Sequence, residues 1–266
     1  MEIIDIHAHI YPESIAQKAV KNIGLFYSID MDCEGTANAL VKSGSKIGVK
    51  NYVVHSAATI PHQVSNINRF ILREAELHPE FIPFGTLHPD LSVKEVEDEV
   101  EFMLNSGFKG IKLHPDFQKF DIDSDLAIKM YQVLDGAMPI LFHVGDKRVD
   151  YSSPERLYKI CKSFPKQKFI GAHFGGYSKW DIVSIYEDIM PLNNLYFDTS
   201  SSLDFLDKDT AKSLIYKFGS EKFFWGSDFP MWDHEQELKR YLSLNLSDTD
   251  NDKILSLNAK WFLNIK

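Results

Sequence analysis

Cysteine is scarce: Cys33 and Cys161 are the only two in 266 residues, too few for the disulfide framework on which small secreted folds depend. No apolar run reaches the roughly 18–20 residues that a membrane-spanning helix needs. The opening Met1-Glu2-Ile3-Ile4-Asp5 has neither the basic region nor the apolar core of a signal peptide, so a cytoplasmic protein is expected. Positive charge is in deficit. The 29 Lys and Arg against 38 Asp and Glu leave a net charge of −9, which argues against a general nucleic-acid surface. Low-complexity segments and linkers are lacking too, so no internal domain boundary is expected. What remains is an ordinary globular composition, 44% apolar and 25% charged, in a chain long enough to bury a core without staples. It leaves ten histidines to be placed.

Eight short runs are rich in Val, Ile, Phe and Tyr: 3–9, 51–57, 81–88, 108–114, 139–144, 168–173, 194–200 and 222–228. Each has the length and composition of a strand. After a first interval of 48 residues, the runs start 26 to 31 residues apart. Helical periodicity fills the gaps at 62–78, 92–106, 124–135, 154–163, 178–189, 207–218 and 234–244, with a terminal helix near 249–263. Ser92 and Glu95 form a capping-box pattern, and Gly107 suits a helix C-terminus. So even an alternation of strand and helix predicts a parallel sheet closed into a (β/α)8 barrel, one domain over 1–266. The long first interval predicts a lid-like insertion at about 10–33, holding an extra helix near 13–22 and the stretch from Phe26-Tyr27 to Met31-Cys33. An ordinary surface insertion is the other reading of that loop.

Alternation along a barrel strand sends every second side chain inward. In the first strand Ile4, Ile6 and Ala8 suit the helix layer, which leaves Asp5, His7 and His9 on the other face. Three ionisable groups on one buried face are costly unless they are paired or bind a metal. His88, His114, His143, His173 and Asp228 likewise fall at or near the C-terminal ends of strands, the end that carries the active site in barrels of this class. His55, near the end of the second strand, falls on the outer face, and His62, His78 and His234 fall elsewhere. A His-x-His pair on one strand sets its rings about 6.5–7 Å apart along the backbone, close enough to grip one ion. Imidazole with carboxylate suits zinc and its transition-metal neighbours.

The motifs Asp5-Ile-His7-Ala-His9, Phe142-His143, Gly171-Ala-His173-Phe-Gly175-Gly176, Tyr196-Phe-Asp198-Thr-Ser200 and Gly226-Ser-Asp228-Phe-Pro230 resemble the motif series of the amidohydrolase superfamily. The branch resembled is amidohydrolase family 2, with its aminocarboxymuconate-semialdehyde decarboxylase-like enzymes. Leu257-Asn258-Ala259-Lys260 resembles that family's C-terminal helix. The resemblance implies a distorted (β/α)8 barrel with one divalent metal in its mouth, zinc first, with manganese, cobalt or iron as alternatives. Carried over, the ligands are His7, His9, His143 and Asp228. His173 is the acid/base or orienting group, and Asp228 is the second candidate for moving protons. Asp5 stands behind the ligands or is a buried structural acceptor. Lys112 stands where binuclear members can carry a carboxylated lysine bridging two ions. The favoured reading is instead an ammonium that holds an anionic substrate or pairs with Asp5 or Asp228.

Candidates for substrate binding are Lys112, His114, Arg148, Ser200 and Trp232, with Lys147, Phe26 and Tyr27 as further wall residues. Arg is the residue suited to clamp a carboxylate with two parallel bonds. Each candidate also has a plain structural reading: a turn at His114-Pro115-Asp116, an exposed loop at Lys147-Arg148, ordinary packing for the aromatics. The function implied first is a hydrolase of a small anionic amide, ester or lactone, working through water activated by the metal. The alternative is a non-oxidative decarboxylase of the same family. A nuclease-type barrel would want a Glu where Lys112 stands, and it ranks last together with a non-catalytic metal-binding barrel. The expected partners are a small-molecule substrate and a second copy of the chain, with no nucleic acid and no membrane.

Overall fold

All eight apolar runs form strands. The computed structural model describes residues 2–31, 33–185 and 192–265. Its elements run β1 (Ile3–His9), α1 (Glu13–Tyr27), α2 (Ala37–Ser45), β2 (Val49–His55), α3 (Val64–Leu77), β3 (Phe81–Gly85), α4 (Val93–Asn105), β4 (Gly110–Leu113), α5 (Pro115–Gln118), α6 (Asp125–Leu134) and β5 (Ile140–Phe142). They continue with α7 (Pro154–Ser163), β6 (Phe169–Gly171), α8 (Trp180–Ile185), β7 (Leu195–Asp198), α9 (Lys208–Phe218), β8 (Phe223–Phe224), α10 (His234–Leu242), α11 (Asp248–Asp252) and α12 (Asn258–Leu263). The strands make one sheet in chain order, β1 to β8. The segment after β8 bonds back to β1: Ile6 N–H donates to Trp225 O (3.0 Å), Asp228 N–H to His7 O (2.8 Å) and His9 N–H to Phe229 O (2.7 Å). Sequential strands that close last on first are the expected (β/α)8 barrel.

Contacts within the chain define two compact units, the first of residues 1–56, 73–82 and 199–266, the second of 57–72 and 83–198. The core of the first is built on Ile4, Ile6, Ala8, Val53, Val54, Trp225 and Ile254, all buried. That of the second is built on Phe84, Ile111, Leu113, Ile140, Phe142, Phe169 and Ile170. Among the described residues no helix is long and apolar enough to cross a membrane.

Local signals explain most boundaries. Ser92 and Glu95 make the full capping box of α4, and Gly107 takes φ 80° just beyond that helix. The strands end earlier than the sequence implies: His114 and His143 lie one residue past the last strand residue, His173 two, His88 three and Asp228 four. Helix α2 is an addition. Its Thr36 N-cap accepts from Ala39 N–H at 3.3 Å, but Ser43, Gly44 and Ser45 are weak helix formers that hide it in the sequence. The extra helix expected near 13–22 extends to Tyr27 as α1. Met1, Asp32, residues 186–191 and Lys266 lie outside the described residues. With them lie the end of the helix expected at 178–189 and one residue of the insertion expected at about 10–33.

Candidate metal centre

In the first unit, three ligand atoms from β1 and the turn after β8 meet. His7 Nε2 and His9 Nε2 are 3.3 Å apart, and Asp228 Oδ1 lies 3.3 Å from the former and 3.4 Å from the latter. Three electron-pair donors this close repel one another unless a proton or a cation lies among them. An ion with bonds of about 2.0–2.2 Å holds tetrahedral neighbours about 3.3–3.6 Å apart, so this donor set fits a divalent metal. His55 adds a third imidazole, with ring centroids 5.0 Å from His7 and 4.4 Å from His9. The outer-face assignment of His55 is thereby corrected. Tyr52 to His55 are all buried, and in a strand covered on both sides alternation no longer separates the faces.

The approach of β8 to β1 depends on Gly226, where a Cβ would stand 2.9 Å from His7 Cβ. Asp228 has φ 58° and Ser201 φ 52°, a left-handed backbone that costs a non-glycine residue about 1–2 kcal/mol. Hydrogen bonds hold it. Ser201 Oγ donates to Asp228 Oδ2 at 2.5 Å, and Trp232 Nε1 donates to Ser201 Oγ at 2.8 Å. Oδ2 is thus occupied, and Oδ1 is left to face the two imidazoles. On the other side, His7 Nδ1 is bonded to Ser200 Oγ at 3.1 Å, which turns Nε2 toward the other donors. Desolvation, and after it the negative charge of Asp228, pushes the Tyr11 phenol above its ordinary value.

The second unit holds another buried group. His143 Nδ1 and His173 Nε2 are hydrogen-bonded at 3.0 Å, while His143 Nε2 lies 3.2 Å from Asp116 Oδ2. Ser152 Oγ donates to the same oxygen at 2.9 Å. His114 stacks on His143 with ring centroids 4.1 Å apart and planes 7° from parallel. Its Nδ1 caps α5 by accepting from Phe117 N–H. His173 also has a left-handed backbone, φ 61°. Its N–H donates to Asp198 Oδ1 at 2.9 Å, and its carbonyl accepts from Trp180 Nε1 at 2.9 Å.

The other expected residues take varied places. Lys112 is fully buried in β4, with its carbonyl accepting from Thr86 Oγ1 at 3.0 Å. Asp5 accepts from His7 N–H, Ser227 and His234. Arg148 is engaged by Asp146 through Nε at 2.9 Å and through Nη2. Burial alone would raise the Asp146 carboxyl, but the Arg148 bonds outweigh it and hold the group below its usual range. The Arg148 fork is therefore filled by a carboxylate of its own loop. Trp232 lies under the Arg240 guanidinium, 4.4 Å from ring centroid to Cζ, and Phe26 is 37% exposed on α1. Sequence reasoning missed Asp116, Ser201 and His234. Asp116 does lie in the expected turn, but it is buried against His143.

A model of the amidohydrolase family matches residues 4–265. The chain belongs to the amidohydrolase family. No curated protein sequence matched it. Solved structures resemble this amidohydrolase along its whole length. An uncharacterized TIM-barrel protein from Bordetella bronchiseptica has 16% identity and a TM-score of 0.80, covering 99% of each chain. A 2,6-dihydroxybenzoate decarboxylase from Rhizobium has 14% identity and a TM-score of 0.77, also covering 99% of each chain. A dihydroxybenzoic acid decarboxylase from Polaromonas, solved with bound manganese and the inhibitor 2-nitroresorcinol, has 15% identity and a TM-score of 0.73. That match covers 99% of this chain and 97% of the other. At these identities the likeness shows the barrel fold alone.

Proposed function

We propose that this amidohydrolase is a metal-dependent carboxy-lyase that removes CO2 from a small aromatic carboxylic acid. The observation that carries the reading is the triangle of His7 Nε2, His9 Nε2 and Asp228 Oδ1, with edges of 3.3–3.4 Å. The likeness to dihydroxybenzoate decarboxylases favours carbon–carbon cleavage over the hydrolysis that the sequence motifs imply first. His7, His9 and Asp228 would hold the ion. The motif series supports His143 as a further ligand. Its ring is held between Asp116 and His173, so coordination there would replace one of those two contacts. When bound, a divalent ion supplies Lewis-acid neutralisation of charge on substrate oxygens.

The chain's own task is to handle a proton. Decarboxylation breaks one carbon–carbon bond, releases CO2 and leaves a carbon that must take up one proton. His173 is assigned that transfer: its imidazolium would give one proton to the carbon and regain one from water, with the ring oriented through Nε2 by His143 Nδ1. Asp228, the other proton-moving candidate, is assigned to the ion because both its oxygens are committed, Oδ1 to the imidazoles and Oδ2 to Ser201.

The test is a substrate panel of dihydroxybenzoates and related aromatic acids beside lactones and amides, offered to protein loaded with manganese or zinc. CO2 release from an aromatic acid, abolished by a chelator, is the expected result. Metal-dependent opening of a lactone or amide without any CO2 would replace this reading with the hydrolytic one.

A further inference from the structure

His234 stands at the start of α10, away from the strand ends, yet it is 0% exposed and both its ring nitrogens are engaged. Nε2 lies 3.1 Å from Asp5 Oδ2, and a carboxylate has no proton to give, so the ring donates. Nδ1 is bonded to Ser43 Oγ at 2.8 Å. Asp5 is equally buried and accepts three more bonds. Oδ1 takes His7 N–H and Ser227 N–H, each at 3.0 Å, and Oδ2 takes Ser227 Oγ at 2.5 Å. One carboxylate therefore clasps the backbone of β1 at His7 and the turn after β8 at the residue before Asp228.

Ser43 is anchored in turn, since its hydroxyl donates to Asp233 Oδ2 at 3.1 Å and Asp233 caps α10 by accepting from Glu235 N–H at 2.9 Å. The rings of Tyr52, Trp225 and Phe229 lie 5.6–6.2 Å from that of His234. In such apolar surroundings a carboxylate deprived of a donor gains little from water. Ser43, His234 and Asp5 follow the order of a nucleophilic triad. Ser43, however, lies inside α2, where the helix consumes the backbone N–H groups that an oxyanion would need, and its hydroxyl is turned to Asp233. The array is built to hold.

We infer that His234, with Ser43 behind it, is a positioning residue for the metal centre: by donating to Asp5 it fixes the spacing between His7 and Asp228 and so sets how tightly the centre grips a divalent ion. The inference rests on the metal reading given above. Groups behind metal ligands typically change affinity by about 10–100-fold when removed.

The experiment measures Mn²⁺ affinity by calorimetry for the unaltered protein, His234→Leu, His234→Gln and Ser43→Ala, with the melting temperature of each metal-free protein alongside. A Gln amide can still donate to Asp5, whereas Leu cannot. His234→Leu is expected to bind Mn²⁺ about 10–100-fold more weakly, with His234→Gln restoring most of the loss and Ser43→Ala falling between. Lowered melting temperatures with unchanged affinity in the folded variants would mean a structural role only and overturn the inference, as would equal losses for Leu and Gln. Should His234→Leu not fold, Ser43→Ala decides in the same way: weaker binding supports the inference, and unaltered binding overturns it. No Mn²⁺ binding by the unaltered protein would remove the metal reading itself, and this inference with it.

Discussion

Ser201 Oγ donates to Asp228 Oδ2 at 2.5 Å, and this contact decides which carboxylate oxygen faces His7 and His9. Ser201→Ala would release the carboxylate and deprive Trp232 Nε1 of its acceptor. The expected cost is about 1–3 kcal/mol of folding stability, together with weaker metal binding. Urea unfolding of the metal-free protein reads the first effect, and a variant as stable as the parent would refute the assignment.

Metal removal has a readable sign. At a free ion concentration 100 times Kd, binding to the folded state adds about 2.7 kcal/mol, which in a chain of this size raises Tm by roughly 5–10 °C. The shift should reverse with a chelator and vanish in His9→Ala. A shift that persists in His9→Ala would place the ion elsewhere.

His173→Ala separates proton transfer from ligation. The variant should keep its metal and lose roughly 10²–10⁴ in turnover. Loss of the metal would instead make His173 a ligand. The measurement pairs metal content with CO2 release on the same preparation.

Glu237 gives folding stability a pH dependence. Burial pushes its carboxyl up to about 7, despite the bond from Arg240, with smaller upward pushes from Asp228 and Asp204. The folded protein therefore holds a proton that the unfolded chain releases near 4.5. The stability this group contributes is full below that value and is lost as pH rises through about 7. Glu237→Gln should accordingly raise Tm more at pH 8 than at pH 5, and an equal change at both would show that Glu237 does not titrate in this range.

The barrel was legible because its signal is local and repeated: apolar runs every 26 to 31 residues after the first interval, and caps such as Ser92 with Glu95. His7, His9 and Asp228 were legible because ionisable groups on or beside a buried strand need a partner. His55 was not, since both faces of its strand end are covered and periodicity carries no direction there. Asp116 and His234 were hidden for a different reason. Their partners, His143 and Asp5, lie far along the chain, and a side chain in a turn or at a helix start gives no local sign of being buried. Arg148 shows the converse: its type suits substrate binding, but Asp146, two residues away, already fills its fork.

The most direct test is anomalous scattering from crystals grown with Mn²⁺. One strong peak is expected within about 2.0–2.3 Å of His7 Nε2, His9 Nε2 and Asp228 Oδ1. A fully loaded crystal with no peak there, or with its only peak away from these three atoms, would contradict the metal reading.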